Sequence, residues 1–201
     1  MLQKTYEKVN HMFEQAGGYL ATRTLLDARI TTIQIRALVD EGKIERVSHG
    51  HYWNLMSGRK KPENYKMLEA CMTNSKAVIC ALSACYYHGL LKEEPEKLYI
   101  ATRRTDRSGM ELTFPVSRHY YSVVTFDEDV VEVDTPSGSF KVYDVDRSVC
   151  DCIRMETEIG EEKLSLVLEA YRKYKNKDMD RLFAYADRMR FGRIARQYLE
   201  K

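Results

Sequence analysis

The sequence has no long hydrophobic run, so it offers no candidate for a membrane-spanning helix, which needs about 20 consecutive apolar residues. It also opens without the pattern of a secretory signal peptide. The five cysteines are odd in number and form no Cys-x-x-Cys pair, which favours reduced, buried thiols over disulfides or metal ligands. From these absences we expect a cytoplasmic protein without membrane partners.

The chain also has little net charge, +2 over 201 residues, a length that suggests one or two domains. Residues 1–56 carry seven basic and six acidic side chains, so nonspecific attraction to a phosphate backbone should be modest there. A basic excess is found only locally, because residues 171–201 carry ten basic and four acidic side chains.

Signatures of catalysis are scarce. The sequence contains no glycine-rich phosphate loop, no His-Glu-x-x-His motif and no Gly-x-Ser-x-Gly elbow. One acidic cluster could hold divalent ions for a nuclease, although charges at a solvent-facing sheet edge are the more typical interpretation. Its members are Asp127, Glu128, Asp129, Glu132 and Asp134. We therefore expect no enzyme and no cofactor or metal, with a nuclease as the rival hypothesis.

What the sequence does contain is an ordered block from Gly17 to Trp53. Apolar residues at spacings of three and four predict a first helix over residues 4–16. Thr22 is a candidate N-cap for a short helix over residues 22–28, with Leu25 and Leu26 facing inward. A turn at residues 29–30 follows.

The next helix begins with the pattern of a capping box, in which Thr31 is the N-cap and Gln34 lies three residues later. Ile35, Leu38 and Val39 form its expected buried stripe, and Gly42 is a natural C-terminal stop. Strands at residues 44–47 and 52–55 then predict a hairpin with residues 48–51 at its tip.

This order of elements is typical of a winged helix-turn-helix, whose second helix enters the major groove of DNA. Small units of this kind also serve as protein-binding or purely structural modules. The candidate DNA-binding side chains lie outside the apolar stripes: Thr32, Gln34 and Arg36 for base edges, Arg46, His49 and His51 in the wing, and Arg23 for phosphate.

Residues 57–62 are polar, basic and interrupted by Gly and Pro, which predicts a linker between domains at residues 1–56 and 63–201. Beyond it, a helix is expected over residues 63–73, and Ser83 is the candidate cap of a second, short helix. A buried strand is expected over residues 98–101. Further strands are expected at residues 111–117, 119–125, 130–134 and 139–144.

Helices are expected to close the chain. Asp146 is the candidate cap of a helix ending at Arg154, and Asp178 caps the second of three later helices. The last helix should bury Ile194, Ala195, Tyr198 and Leu199. The order of helix, strands and helices predicts a mixed α+β domain after the winged helix, so the expected fold class is α+β.

Five arginines lie outside these apolar stripes and should share an exposed positive surface: Arg181, Arg188, Arg190, Arg193 and Arg196. Such a surface could bind a negatively charged target or partner. The alternative is that the arginines only keep the helices soluble.

Four segments carry a family resemblance. They are GGYLATRTLLDARITTIQIRALVDEGKIERVSHGHYW, AVICALSACYYHGLL, KLYIATRR and VYDVDRSVCDCIR, which together span residues 17–154. In this order they resemble the AbiE-type antitoxins of abortive-infection phage-defence operons, in which the first segment is the N-terminal winged helix and the others belong to the C-terminal domain.

The resemblance implies a bacterial cytoplasmic protein with two functions. The winged helix would repress its own operon by binding inverted repeats. The C-terminal domain would counter a nucleotidyltransferase-like toxin as a type IV antitoxin, without a stable complex. The alternative is a plain winged-helix transcriptional regulator whose C-terminal domain senses a ligand or dimerises.

Overall fold

The computed structural model describes residues 3–200, which form an α+β structure with two compact units. Unit 1 extends to Ser75 and also contains Arg107–Phe114 and Val133–Phe140. Unit 2 contains Lys76–Asp106, Pro115–Glu132 and the chain from Lys141 onward. The predicted α+β class is confirmed. The division at residues 57–62 stays a prediction, and residues 57–75 lie in unit 1.

The helices of unit 1 are α1 (Gln3–Gln15), α2 (Thr22–Asp27), α3 (Thr32–Asp40) and α4 (Tyr65–Thr73). Helices α1 to α3 surround an apolar core to which each contributes, because their apolar residues recur on one face. The core residues are Val9, Phe13, Leu20, Leu25, Ile30, Ile35, Leu38 and Ile44.

Both ends of α3 are closed by local hydrogen bonds. The capping box is confirmed: the Thr31 hydroxyl accepts from the Gln34 amide, and the Gln34 side chain accepts from the Thr31 amide. At the other end, Gly42 has a φ of +64°, and its N–H and that of Lys43 donate to the carbonyls of Val39 and Leu38. This is the Schellman arrangement that glycine favours after a helix.

Helix α2 differs from the prediction. Its N-cap is Ala21, not Thr22, and no side chain caps it. The Thr22 hydroxyl instead donates to the carbonyl of Gly50. Leu25 is buried but Leu26 is 43% exposed, because neighbours on a helix point in different directions and this short helix buries one narrow stripe.

An antiparallel sheet completes this part of unit 1. Its strands are β1 (Tyr19–Ala21), β2 (Ile44–Ser48) and β3 (His51–Asn54), in the order β1-β3-β2. Strand β1 was not predicted. It pairs with β3 across the full strand, and a Cβ atom on Gly18 would lie 2.2 Å from the ring of Trp53. Only glycine allows this approach of backbone and ring.

A second sheet contains β4 (Val78–Ile79), β5 (Leu98–Arg103), β6 (Val116–Tyr121), β7 (Val130–Thr135) and β8 (Gly138–Tyr143), in the order β6-β5-β4-β8-β7. Strand β4 is antiparallel to β5 and parallel to β8, and β5 is parallel to β6. The predicted strand at residues 111–117 is wrong except at its end, because the chain becomes extended only at Val116.

The helices of unit 2 are α5 (Ala81–Tyr87), α6 (Val123–Phe126), α7 (Val145–Arg154), α8 (Glu156–Ile159), α9 (Glu161–Arg172), α10 (Met179–Arg188) and α11 (Gly192–Leu199).

The predicted cap at Asp178 is confirmed. The predicted cap at Asp146 is wrong. Asp144 caps α7, whereas the buried Asp146 accepts hydrogen bonds from the Tyr171 hydroxyl and the Asp178 amide.

Other sequence predictions for unit 2 have mixed outcomes. Ser83 does not cap α5 but lies inside it and accepts the amide hydrogen of Tyr99. Ile194 is about half exposed rather than buried. All five cysteines are buried thiols that form no disulfide, as the sequence predicts. Within residues 3–200, no helix has the length and apolarity that crossing a membrane requires.

Candidate nucleic-acid interface

The outer face of α3 presents polar and apolar side chains to solvent. Thr32, Ile33 and Arg36 are all exposed. The Nε atom of Arg36 lies 3.8 Å from an Asp40 carboxylate oxygen, one helical turn further on, but both side chains remain mostly in solvent. Such surface pairs are weak, so the guanidinium stays available to a ligand.

A cleft of about 300 Å³ runs beside this face, between α2, α3 and the sheet. Three of the predicted DNA-binding residues line it together: Thr32 and Arg36 from α3 and Arg46 from β2. Its other lining residues are Thr22, Ile35, Val39 and Tyr52. The structure therefore joins part of the predicted helix surface and part of the predicted wing in one concave surface with two cationic side chains.

Unlike the side chain of Arg36, the side chain of Gln34 is held by hydrogen bonds at the start of α3. Its Oε1 atom lies 2.9 Å from the Thr31 amide nitrogen and 3.2 Å from the Thr31 hydroxyl oxygen. The carbonyl end of this side chain is therefore occupied by the helix cap. A bidentate contact to adenine uses the carbonyl and the amino group together, so Gln34 has only its amino donors to offer in this conformation.

The turn between β2 and β3 is shorter than the predicted tip at residues 48–51. Ser48 pairs with His51, so only His49 and Gly50 form the turn. Gly50 has a φ of +81°, and its carbonyl accepts from both the amide and the hydroxyl of Thr22. The side chain of Arg46 folds along the hairpin, with Nε 3.3 Å from the Ser48 carbonyl oxygen.

The two histidines of the predicted wing lie in different surroundings. His49 is exposed at the turn, whereas His51 is partly buried with Nδ1 3.3 Å from the Ser48 hydroxyl. Burial lowers the pKa of His51, which favours its neutral form. Arg23, on α2, is 93% exposed and lies 4.0 Å from Asp27; neither it nor the wing histidines line the cleft.

In unit 2, the predicted arginine surface is largely neutralised. Arg181 pairs with Asp129 and Asp144, and Arg188 pairs with Glu128 at 2.8 Å. Arg196 forms two hydrogen bonds to Asp187. Arg190 and Arg193 are exposed, and neither is within ion-pair distance of an acid among residues 3–200. The expectation of one shared positive surface is therefore wrong for the three paired arginines.

These pairs also occupy much of the acidic cluster. Asp127 pairs with Arg103, and Glu128 and Asp129 pair with arginines of α10. The part of the chain that the structure describes contains no group of three or more His, Cys, Asp or Glu side chains placed to hold a metal ion.

Sequence reasoning missed a buried polar network in unit 2. The Arg147 guanidinium lies 3.5 Å from the ring centre of Tyr143 and 4.6 Å from that of Tyr185. Its Nε atom is 3.8 Å from Asp151, and both side chains are completely buried. Burial raises the pKa of Asp151, and the Arg147 charge opposes this. An arginine and an aspartate four residues apart, and therefore on the same face of the predicted helix, were the available signal.

Comparisons with known proteins bear on the fold. No protein-family model and no curated protein sequence matches the chain. Among solved structures, the chain is similar to the crystal structure of the RV2827C protein from Mycobacterium tuberculosis, with a TM-score of 0.55 and 13% sequence identity. The similarity covers 100% of this chain and 82% of the other. At this identity it concerns the fold alone.

Proposed function

We propose that residues 1–56 form a winged helix-turn-helix that binds DNA, with α3 in the major groove. The observation that carries this proposal is the cleft in which Thr32 and Arg36 of α3 meet Arg46 of the hairpin. A capped helix beside a short hairpin, with cations on both, fits a duplex because the helix can contact base edges while the hairpin contacts phosphates.

The candidate side chains differ in the part of the DNA that they are suited to contact. Arg36 is suited to a bidentate contact with guanine, and Thr32 to a single hydrogen bond to a base or phosphate. Arg46, His49 and the exposed Arg23 are suited to phosphates. His51 contributes little charge at neutral pH because its pKa is lowered.

On this basis we infer that the protein is a cytoplasmic antitoxin and autorepressor of the AbiE type. Support for antitoxicity comes from the ordered resemblance over residues 17–154. The winged helix would bind inverted repeats in its own promoter, and unit 2 would counter a nucleotidyltransferase-like toxin without a stable complex.

One feature favours the alternative of a plain, ligand-sensing regulator. Unit 2 has a groove of about 810 Å³ between the segment 90–96 and α9. Four leucines, among them Leu82, Leu90 and the half-exposed Leu166, line this groove together with eight charged residues. A groove of this size could accept a small apolar ligand.

DNA binding is tested by fluorescence anisotropy with the protein's own promoter. Arg36→Ala and Arg46→Ala should each weaken binding, and Arg46→Ala should reduce the slope of log affinity against log salt by about one. Arg193→Ala, an exposed arginine of unit 2, is the matched control. Unchanged affinity in folded Arg36→Ala and Arg46→Ala variants would contradict the proposed site.

Antitoxicity is tested separately, by co-expression with the product of the gene directly downstream, which the proposal requires to be nucleotidyltransferase-like. Restored growth supports an antitoxin. Operator binding without any rescue would identify the protein as a plain regulator.

A further inference from the structure

Ile33 is the most exposed large apolar side chain among residues 3–200, with 80% of its surface in solvent. It lies in the first turn of α3, between Thr32 and Gln34. A β-branched residue is a poor helix former, and here it makes no core contact that would compensate. Neither packing nor helix propensity accounts for isoleucine at this position.

The position of Ile33 relative to Arg36 is informative. Residues three apart lie on the same face of a helix, about 5–6 Å from each other. Ile33 and Arg36 therefore project from one face, and Ile33 is the member nearer the N-terminus. The N-terminal residues of a recognition helix are those that contact base edges.

In the major groove, thymine alone among the four bases presents a methyl group. An apolar side chain in the major groove can pack against this methyl group, and the contact removes both apolar groups from water. Ile33 is suited to this because its χ1 angle is restricted in a helix and the capping box fixes the first turn of α3.

We propose that Ile33 determines sequence specificity by packing against the 5-methyl group of a thymine. This inference rests on the proposed binding of DNA by α3. Base pairs are spaced about 3.4 Å apart along each strand. The thymine is therefore expected within about two base pairs of the base that Arg36 contacts.

The test uses the full-length protein and its promoter duplex, with each thymine of the protected site replaced in turn by deoxyuridine. This change removes only the methyl group. We expect one position per half-site where the replacement weakens wild-type binding about four-fold, the change that corresponds to losing one buried methyl-sized group. In Ile33→Ala the same replacement should have no effect.

Leu26→Ala is the matched control, because Leu26 is an exposed apolar residue on α2, outside the proposed groove face. It should retain the full response to deoxyuridine. Circular dichroism checks that Ile33→Ala is folded, as expected when alanine, a better helix former, replaces a solvent-exposed residue.

The outcomes separate the two proposals. A complex that depends on Arg36 but responds to no thymine replacement overturns the role of Ile33 and leaves DNA binding intact. An equal response in wild type and Ile33→Ala also overturns it, because another residue then contacts the methyl group. If Ile33→Ala changes the oligomeric state and not the affinity for DNA, the face is a protein interface. No binding to the promoter overturns the proposed function itself.

Discussion

The Nζ atom of Lys61 lies 2.8 Å from Oε1 of Glu69, a carboxylate whose side chain is completely buried in unit 1. The Tyr19 hydroxyl donates to the same oxygen at 2.9 Å, and Lys61 also pairs with Glu45 at 3.2 Å. Lys61 belongs to the segment that the sequence predicts to be a linker. The pair with Glu69 anchors this segment to α4, and the pair with Glu45 anchors it to β2.

Lys61→Met should lower the free energy of unfolding by about 3–5 kcal/mol, because it leaves the Glu69 carboxylate buried without its cation. Urea denaturation measures the loss. Lys60→Met, at an exposed neighbouring position, should change it by no more than about 0.5 kcal/mol. Adding Glu69→Gln to Lys61→Met should recover part of the loss; a double variant less stable than Lys61→Met would argue against an unpaired charge as the cause.

Glu69 also gives stability a pH dependence. Burial raises its pKa, and the hydrogen bond from Lys61 opposes the shift. Because the folded-state pKa is raised, the native state binds the proton more tightly than the unfolded chain does. The resulting stabilisation is complete below the unfolded pKa and is lost as pH rises through the folded one.

The stability of the wild type relative to Glu69→Gln should therefore decrease as pH rises from about 4, near the usual value for glutamate, towards neutrality. Urea denaturation of both proteins across this range isolates the contribution of Glu69 from that of other acids. A difference that grows with pH would mean that Lys61 outweighs burial.

Gln34→Glu separates helix capping from the proposed DNA binding. Glutamate is the usual partner in a capping box and can still accept from the Thr31 amide, so stability should change by less than about 0.5 kcal/mol. The amino donors are lost and a charge is placed near DNA, so binding should weaken by about 1–3 kcal/mol. Anisotropy and urea denaturation measure the two effects. Gln197→Glu, an equal charge change on α11, should leave DNA affinity unchanged.

The buried Arg147 should be sensitive to both charge and shape. Arg147→Met removes the buried one of the two cations beside Asp151, so that only Arg154 remains, 3.4 Å away, and it should cost about 3 kcal/mol of unfolding free energy. Arg147→Lys keeps the charge but loses the planar contact with Tyr143, so its loss should be smaller. Combining Arg147→Met with Asp151→Asn should restore part of the stability. A fully additive double variant would show that the two side chains are not coupled.

The proposed antitoxicity of the C-terminal arginines is best tested at Arg190 and Arg193, because their reversal to glutamate breaks no ion pair among residues 3–200. If the positive surface acts on the toxin or its target, this double variant should remain folded and rescue growth less well than the wild type. The control exchanges the charges of one pair, Glu128→Arg with Arg188→Glu, which preserves both the net charge and the contact. Full rescue by the Arg190 and Arg193 variant would leave solubility as the role of these residues.

Features formed by residues close in sequence were predictable. Thr31 and Gln34 lie three residues apart, as do Asp178 and the Arg181 amide that it caps, so pattern alone identified both helix starts. Strand β1 was missed because Tyr19 pairs with Trp53, and a three-residue strand has no periodicity of its own. The residues of the candidate site were predicted one by one from the pattern and stay predictions, whereas the cleft that Arg36 and Arg46 share depends on packing.

Choices between equivalent local signals depend on tertiary structure. Asp144 and Asp146 could each cap α7, and the outcome follows from Tyr171 and Asp178, whose hydrogen bonds hold Asp146 inside unit 2. The sequence also predicted too much unpaired positive charge on the last helices, because most of the acidic partners of their arginines are distant in sequence. Arg188 is neutralised by Glu128, sixty residues earlier, and no count of charges along a helix reveals such a partner.

The two hydrogen bonds from Thr22 to the Gly50 carbonyl, 2.7 and 3.2 Å long, hold the hairpin tip against the start of α2. The tip is thus held by the fold itself, and the proposed contact with DNA should not require the ordering of a mobile arm. The heat-capacity change of DNA binding should then reflect only the surface buried at the interface, without the larger signature of a segment that folds on contact.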